Sequence, residues 1–488
     1  MKRNSLTTAV VAGIAGVAGF AGLANAVDLN PDGLGQVLIY PYYTVNKSQD
    51  SLFSVVNTSD IGKAVKVRYL EGYNSREVLD FNLFLSAHDV WTAAVTSVGD
   101  GDGAQISTQD HSCTYPNFPN GGVGPVAFRT AAFDGTGPVP ADDGPQDITR
   151  TREGYLEMIS MGDIIPGSAT EGRITHDQTG QPNEGVPPGC GGLSNTNVVG
   201  DLVAPTGGLF GSGVIVNVGE GTFFGYTADA IDGFTAIPIY SSSADLNPSL
   251  QDANSVEATN GVARAYVFVD GGQLIVADYA FGIDAVSAVY MSDAIYNEWT
   301  VNGGIGANTD WVVTFPTKRF YVDSLYGAGV PFPPFVEEFT GESNVEVGIN
   351  LYDREEGFTT QPDDFSPPIS SRPSSLPFEV NVISFLTTTA AGDPSAVLGS
   401  YLRPNIKPYG DFGWLKLDLF SGDAGAHQLP GGITPAGADV TFNGLPVTGF
   451  SAYNVINQNA NPGLLANYGG LFRHRASRSC VGTDPACS

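Results

Sequence analysis

The sequence predicts a mainly β protein: antiparallel, immunoglobulin-like β-sandwich lobes joined by long Gly- and Pro-rich loops, with one or two short helices. Three observations carry this expectation. Apolar residues alternate with polar ones at period two in several short runs, the mark of half-buried strands. Gly and Pro are abundant, 62 and 32 of 488 residues, and they cluster between those runs. Charged residues make up only 15% of the chain, against about 25% in an average globular protein, while 42% are hydrophobic, enough for an extensive core.

Taken in order, the first 26 residues read as a signal peptide. Lys2 and Arg3 precede an apolar, small-residue run from Leu6 to Leu23, and Ala24-Asn25-Ala26 has the A-x-A form of a cleavage site. No later run approaches 18 consecutive apolar residues, so no transmembrane helix is expected. The mature chain is expected to begin at Val27 and to comprise an N-terminal sandwich-like lobe over 27–240 and a C-terminal β-rich lobe over 241–488. Export would place it in the periplasm, at the cell surface or outside the cell.

The clearest strand pattern spans 36–98. Gln36–Thr44 and Leu52–Val56 are apolar, aromatic runs; Val65, Val67 and Tyr69 then alternate with Lys66 and Arg68, and Leu79, Phe81, Leu83 and Leu85 with Asp80 and Asn82. Asn57-Thr58-Ser59-Asp60 and Gly72-Tyr73-Asn74-Ser75 supply turn chemistry between them. Gly154–Met161 is a further strand. Val214–Val218 and Thr222–Tyr226 flank Gly219-Glu220-Gly221 as a hairpin, and Val262–Val269 and Gln273–Tyr279 flank Asp270-Gly271-Gly272 as another. One helix stands out, with Asp284 as its cap and Val286, Val289, Tyr290, Ala294 and Tyr296 on one face. Strands resume at Trp311–Phe315, Arg319–Val322, Phe378–Leu386, Trp414–Leu419 and Val440–Phe442, and the Asn-rich tail after Asn454 reads as irregular.

Several phrases carry a resemblance: GQVLIYPYYTVN (35–46), VKVRYLEGYNSREVLDFNLFLSAHDVWTA (65–93), REGYLEMISMGDI (152–164), DWVVTFPTKRFYV (310–322), LYDREE (351–356) and LPVTGF (445–450). In these the chain resembles a group of uncharacterised, signal-peptide-bearing proteobacterial proteins. The resemblance implies export and a β-rich fold, and it implies no activity and no site residue.

Charge excludes some functions. Lys plus Arg number 22 against 51 Asp plus Glu, a net charge of -29, which repels phosphate backbones and disfavours nucleic-acid binding. No C-x-x-C-H, H-E-x-x-H, G-x-S-x-G or P-loop occurs, so haem attachment and the commonest hydrolase and nucleotide sites have no signature. LPVTG at 445–449 matches a sortase signal in letters but lacks the hydrophobic stretch and basic tail behind it. Four cysteines in an oxidising compartment suggest disulfides, Cys113 with Cys190 and Cys480 with Cys487. A Cys2His2 zinc site from His111, Cys113, His176 and Cys190 is the competing arrangement. Asp100, Asp102, Asp142 and Asp143 sit among loop glycines and are weak calcium candidates, with no complete calcium-loop pattern. Ser–His–Asp arrangements using His88, His176 or His427 are open in principle. Tyr40, Tyr42, Tyr43, Trp91, Trp299, Trp311 and Trp414 would furnish either a sugar-stacking platform or the sandwich core, with the core favoured.

No catalytic or cofactor residue is assigned. The expected function is that of a non-catalytic, exported cell-surface or extracellular structural or adhesive protein, whose strand edges offer a template for self-association. The alternatives are a carbohydrate-binding protein or polysaccharide hydrolase, and an outer-membrane β-barrel.

Overall fold

A computed structural model describes residues 26–99, 102–176, 185–254, 262–327, 331–359, 374–385, 393–406, 410–422, 425–457, 460–462, 464 and 466–487. The expected leader, up to Asn25, and the calcium candidate Asp100 lie outside the described residues.

The N-terminal half supplies β1 (Val37–Thr44), β2 (Asp50–Asn57), β3 (Lys63–Glu71), β4 (Glu77–Leu85), β5 (Val90–Ser97), β6 (Ala104–Ser107), β7 (Glu153–Ile164), β8 (Leu209–Asn217), β9 (Thr222–Thr227) and β10 (Asp229–Asp232). One sheet runs β10–β1–β7–β3–β4, flanked by the short strands Asp28–Leu29 and Cys113–Tyr115. The second runs β9–β8–β2–β5–β6 and ends on Val126–Ala127. The two face each other through rings: Tyr40 meets Phe53 at 5.5 Å between centroids, Phe53 meets Tyr69 at 5.8 Å, and Phe81 meets Trp91 at 5.7 Å. This is the sandwich that the alternating pattern predicts.

The C-terminal half supplies β11 (Ala263–Val269), β12 (Gln273–Tyr279), α1 (Gly282–Tyr290), β13 (Ala294–Thr300), β14 (Ala307–Thr314), β15 (Val345–Asp353), β16 (Val380–Phe385), β17 (Phe412–Asp418), β18 (Gln428–Ile433), β19 (Asp439–Asn443), β20 (Thr448–Val455), β21 (Tyr468–Arg473) and β22 (Arg475–Ser477). Its three principal sheets run β11–β12–β18–β19, β15–β17–β13–β22 and β16–β14–β20–β21. Among the described residues these ladders are antiparallel, apart from a parallel pairing of β16 with Asn405–Ile406. None of the described sheets closes into a barrel. No described helix is long and apolar enough to cross a membrane.

Both predicted hairpins form. Gly271 and Gly272 hold φ of 85° and 76° in the β11–β12 turn, a backbone that favours glycine. The β3–β4 turn is built by one carboxylate: Glu71 accepts the backbone N–H groups of Tyr73, Asn74 and Arg76 at 2.7, 3.0 and 2.8 Å.

Five expectations are corrected. Arg319–Val322 is a short helix rather than a strand. The apolar helix ends at Tyr290, so Ala294 and Tyr296 belong to β13. Phe281 occupies its cap position, while Asp284 lies in the first turn and accepts the Tyr321 hydroxyl at 2.8 Å. The helix is buried on nearly all sides, because α1 packs under β11, so helical spacing alone did not define its inner face. The tail after Asn454 contains β21, which folds back on the preceding β20, and β22 and the strand Cys480–Gly482, which pair with the distant β13 and β19.

The fifth correction concerns β3. The alternation of Val65, Val67 and Tyr69 with Lys66 and Arg68 predicts one wet face, yet β1, β3 and β7 are buried along their whole length. The segment 242–248 folds over the polar face. The Lys66 ammonium pairs with Asp80 and donates to the Ser243 carbonyl at 2.8 Å. Arg68 donates to Glu77 at 2.8 Å and to the carbonyls of Leu246 and Pro248 at 2.8 and 3.0 Å. Burial pushes the Lys66 pKa down, and Asp80 opposes that shift.

The expected boundary near residue 240 separates the strands of the first two sheets from the rest, but one hydrophobic cluster runs through both halves. At the seam the backbone itself is shared, with Val380 N–H bonding the Gly72 carbonyl at 2.9 Å.

Candidate interaction surface

The second sheet of the N-terminal sandwich turns one face to the core and one outward, and the outward face is almost free of charge. On β2 the outward positions are Asp50, Leu52, Ser54 and Val56; on β5 they are Val90, Thr92, Ala94 and Thr96. On β8 they are Phe210, Ser212, Val214 and Val216, and on β9 Phe223, Gly225 and Thr227. β6 adds Gln105 and Ser107. Asp50 is the single ionisable group among them, and partial burial pushes its carboxyl pKa up.

Register assembles these positions into a patch. Leu52 lies between Ala94 and Val214, and Val56 between Val90 and Phe210. Phe223 pairs across from Val216 at the edge of the sheet. Leu52, Val90, Phe210 and Phe223 are large apolar side chains in solvent, Phe223 with 61% of its surface exposed. A shallow hollow of about 430 Å³ lies over Leu52, Ala94 and Val214. Contiguous apolar surface of this kind marks interaction sites in soluble proteins. The contrast with β13 and β17 is direct, since their outward faces carry Glu298, Lys416 and Asp418.

The disulfide pairing is Cys113–Cys190 and Cys480–Cys487. Cys113 and Cys190 are thereby spent on each other, so the zinc arrangement is overturned. Asp142 is engaged in an ion pair: both its oxygens accept from Arg150, at 2.7 and 2.6 Å. Burial pushes the Asp142 carboxyl up, but Arg150 and Arg76 beside it hold its pKa below the usual range. Asp102 and Asp143 are exposed. No group of three or more potential metal-ligating side chains occurs among the described residues.

One Ser–His–Asp grouping does come together. Ser86 Oγ lies 3.3 Å from His176 Nδ1, and Asp89 lies 3.7 Å from the same nitrogen. A proton relay needs serine and carboxylate on opposite ring nitrogens, so this grouping lacks the required geometry. Asp89 instead accepts from Ser86 N–H at 3.0 Å and Ser112 Oγ at 3.3 Å, tying β4 to the loop of Cys113. His88 pairs with Asp60 at 2.8 Å on the surface, His427 contacts the Glu346 carbonyl at 2.9 Å, and His111 is exposed.

Tyr40, Tyr42, Tyr43, Trp91, Trp299 and Trp311 are fully buried, the core role favoured from the sequence. Trp414 alone of that set is exposed, and Tyr352 stacks on it at 4.1 Å and 7°, with Tyr296 at 6.4 Å beyond. This cross-strand ladder spends the Trp414 ring face on Tyr352. The LPVTG segment is buried within the strands around Leu445–Pro446 and Thr448–Val455, where no sorting enzyme would reach it.

The uncharged sheet face is the feature that residue-by-residue reading missed. Its signal was the run of small and apolar residues at alternate positions of LFGSGVIVN and SLFSVVN, legible only once both strands were known to share a sheet.

No family model matches the chain, and neither a curated protein nor a solved structure matches it.

Proposed function

We propose that this protein is an exported, non-catalytic β-structural or adhesive protein that associates through the outer face of β9–β8–β2–β5–β6, with a second copy of itself as the partner. The single observation behind this reading is the near absence of charge from that face in a chain of net charge -29. Two such chains repel one another over most approaches. Face-to-face packing of these sheets brings no like charges together except at Asp50, and it covers Leu52, Val214 and Phe223.

Size sets the expected strength. Five strands spaced ~4.8 Å apart, with up to nine residues each rising ~3.3 Å, present roughly 500–600 Å² per copy. Two copies would bury roughly 1,000–1,200 Å², at the lower end of specific interfaces. The association is therefore concentration-dependent, and avidity at a surface would strengthen it.

Light scattering on the exported chain purified without detergent tests the reading. Dimers or larger assemblies that dissociate in Leu52→Lys/Val214→Lys support it. A chain that stays monomeric at high concentration, or whose assembly ignores both substitutions, contradicts it. A polysaccharide panel on the same sample separates the carbohydrate-binding alternative, for which Trp414 is the ring to replace.

A further inference from the structure

The segment Arg473–Ser479 concentrates positive charge in an otherwise acidic chain, and it is held rigidly. Asp293 accepts the hydroxyls of Ser477 and, at 2.7 Å, Ser479. Asp270 N–H bonds the Arg478 carbonyl at 2.9 Å, and its carboxylate accepts Arg478 N–H at 3.1 Å. His474 adds no charge: half-buried between the Val312 carbonyl and the Asn297 amide, it is held neutral, its pKa pushed well below the usual value by desolvation.

The two arginines that line the cavity beneath this segment are held differently. Arg473 pairs with the buried Asp229 at 2.5 Å, and the other Asp229 oxygen takes the Thr448 hydroxyl. Arg478 is largely buried, and no described carboxylate lies within ion-pair distance of its guanidinium; its Nε has no hydrogen-bond partner among the described residues. The Tyr290 hydroxyl, on a side chain 1% exposed, is likewise unpartnered. Both groups line one cavity of about 50 Å³, together with Arg473 and Thr448. Burial and the nearby Asp229 push the Tyr290 pKa up, so it stays a phenol and can donate. An arginine cannot shed its proton to escape burial. Two donors without a partner among the described residues, one of them charged, thus belong to side chains that line the same small space.

We infer that this cavity is a binding site for a small monovalent anion, held by the Arg478 guanidinium and the Tyr290 hydroxyl with Arg473 at its mouth. A water molecule needs about 10–15 Å³ of such space, so the cavity has room for a group the size of one halide ion or one carboxylate. A cleft of about 460 Å³ between β8, β9 and β20 shares Thr448, Gly449 and Arg473 with the cavity and would hold the body of a carboxylate ligand.

The test is thermal unfolding of the full exported chain at constant ionic strength, with sodium gluconate replaced stepwise by chloride, bromide or formate. A saturable rise in Tm with the small anions, lost in Arg478→Gln and shifted several-fold to higher anion concentration in Tyr290→Phe, supports the site. Tyr290→Phe keeps the packing, so it serves if Arg478→Gln does not fold. Saturation by halide alone assigns a resident ion; saturation by formate as well assigns a carboxylate seat. Equal Tm in gluconate, halide and formate, or a response unchanged in the folded variants, overturns the inference.

Discussion

Arg319 donates to both carboxylate oxygens of Glu157, at 2.9 and 3.1 Å, and both side chains are buried where the two halves of the chain meet. Arg319 comes from the short helix after β14, and Glu157 from the middle of β7. The Tyr155 hydroxyl accepts from Arg319 at 2.6 Å and donates to the Pro316 carbonyl at 3.2 Å. Such a network fixes one arrangement of the halves, because breaking it strands a charge away from water.

Glu157→Gln is therefore expected to lower stability by about 3–5 kcal/mol, the cost of leaving a buried partner uncompensated. Urea unfolding followed by tryptophan fluorescence and far-UV circular dichroism measures it. Because the core is continuous across the seam, both probes should report one coincident transition in the wild type. Separated transitions would mean that the halves are independent.

The two disulfides should differ in value. Cys113–Cys190 spans 77 residues and Cys480–Cys487 only 7. Loop-closure entropy gives about 4–5 kcal/mol for the long loop and about 2–3 kcal/mol for the short one. Paired Cys→Ala replacements, compared by urea midpoint, check the order; a larger loss from the terminal pair would contradict it.

Burial pushes the His474 pKa down to about 4. An unfolded histidine takes up its proton near pH 6.5, the folded one only near pH 4, so the unfolded state binds more protons in between. Stability contributed by this residue is lost as pH falls from about 6.5 to 4, by about 3 kcal/mol in total. Asp28 and Asp284, pushed up to about 6 by burial, act in the opposite sense and stabilise on acidification. The His474 contribution is thus the difference between wild type and His474→Asn, whose stability should fall less across that window. Parallel curves would refute the assignment.

Gly154 sits in β7 where a Cβ would collide with the backbone of Leu70 and Glu71, atoms that cannot yield without breaking the β3–β7 ladder. Gly154→Ala should cost about 3 kcal/mol, the upper end of ordinary overpacking losses. Gly172, in the short helix Ala169–Ile174, has open space around it, and Gly172→Ala should stabilise by about 0.5–1 kcal/mol. Midpoints from one denaturation series would show the opposite signs.

Much of the fold was legible because short-range physics writes it. Alternation marked β3 and β4, paired glycines marked the β11–β12 turn, and four cysteines allowed only three pairings, of which the one expected is formed. The same local signals misled where a distant segment intervened. Arg319–Val322 reads as a strand, but it turns into a helix that carries Arg319 to Glu157. The tail around Arg473–Gly482 has weak strand character of its own, and it becomes strand because β20, β13 and β19 offer it open edges.

The sequence by itself determined the class of the protein: a mainly β chain, strongly acidic, with turns and disulfides set by glycine and cysteine placement. Only the tertiary structure decided which polar positions are wet. Lys66 and Arg68 alternate with Val65, Val67 and Tyr69 as solvent-facing residues would, yet they are buried under 242–248 and neutralised there. Leu52 and Val214 alternate as one half of an apolar set, yet they face solvent. Period two divides a strand into two faces but does not say which face another layer will cover. That depends on contacts between residues far apart in the chain, and those contacts placed the uncharged sheet face, the Arg478 side chain at its cavity and the buried seam.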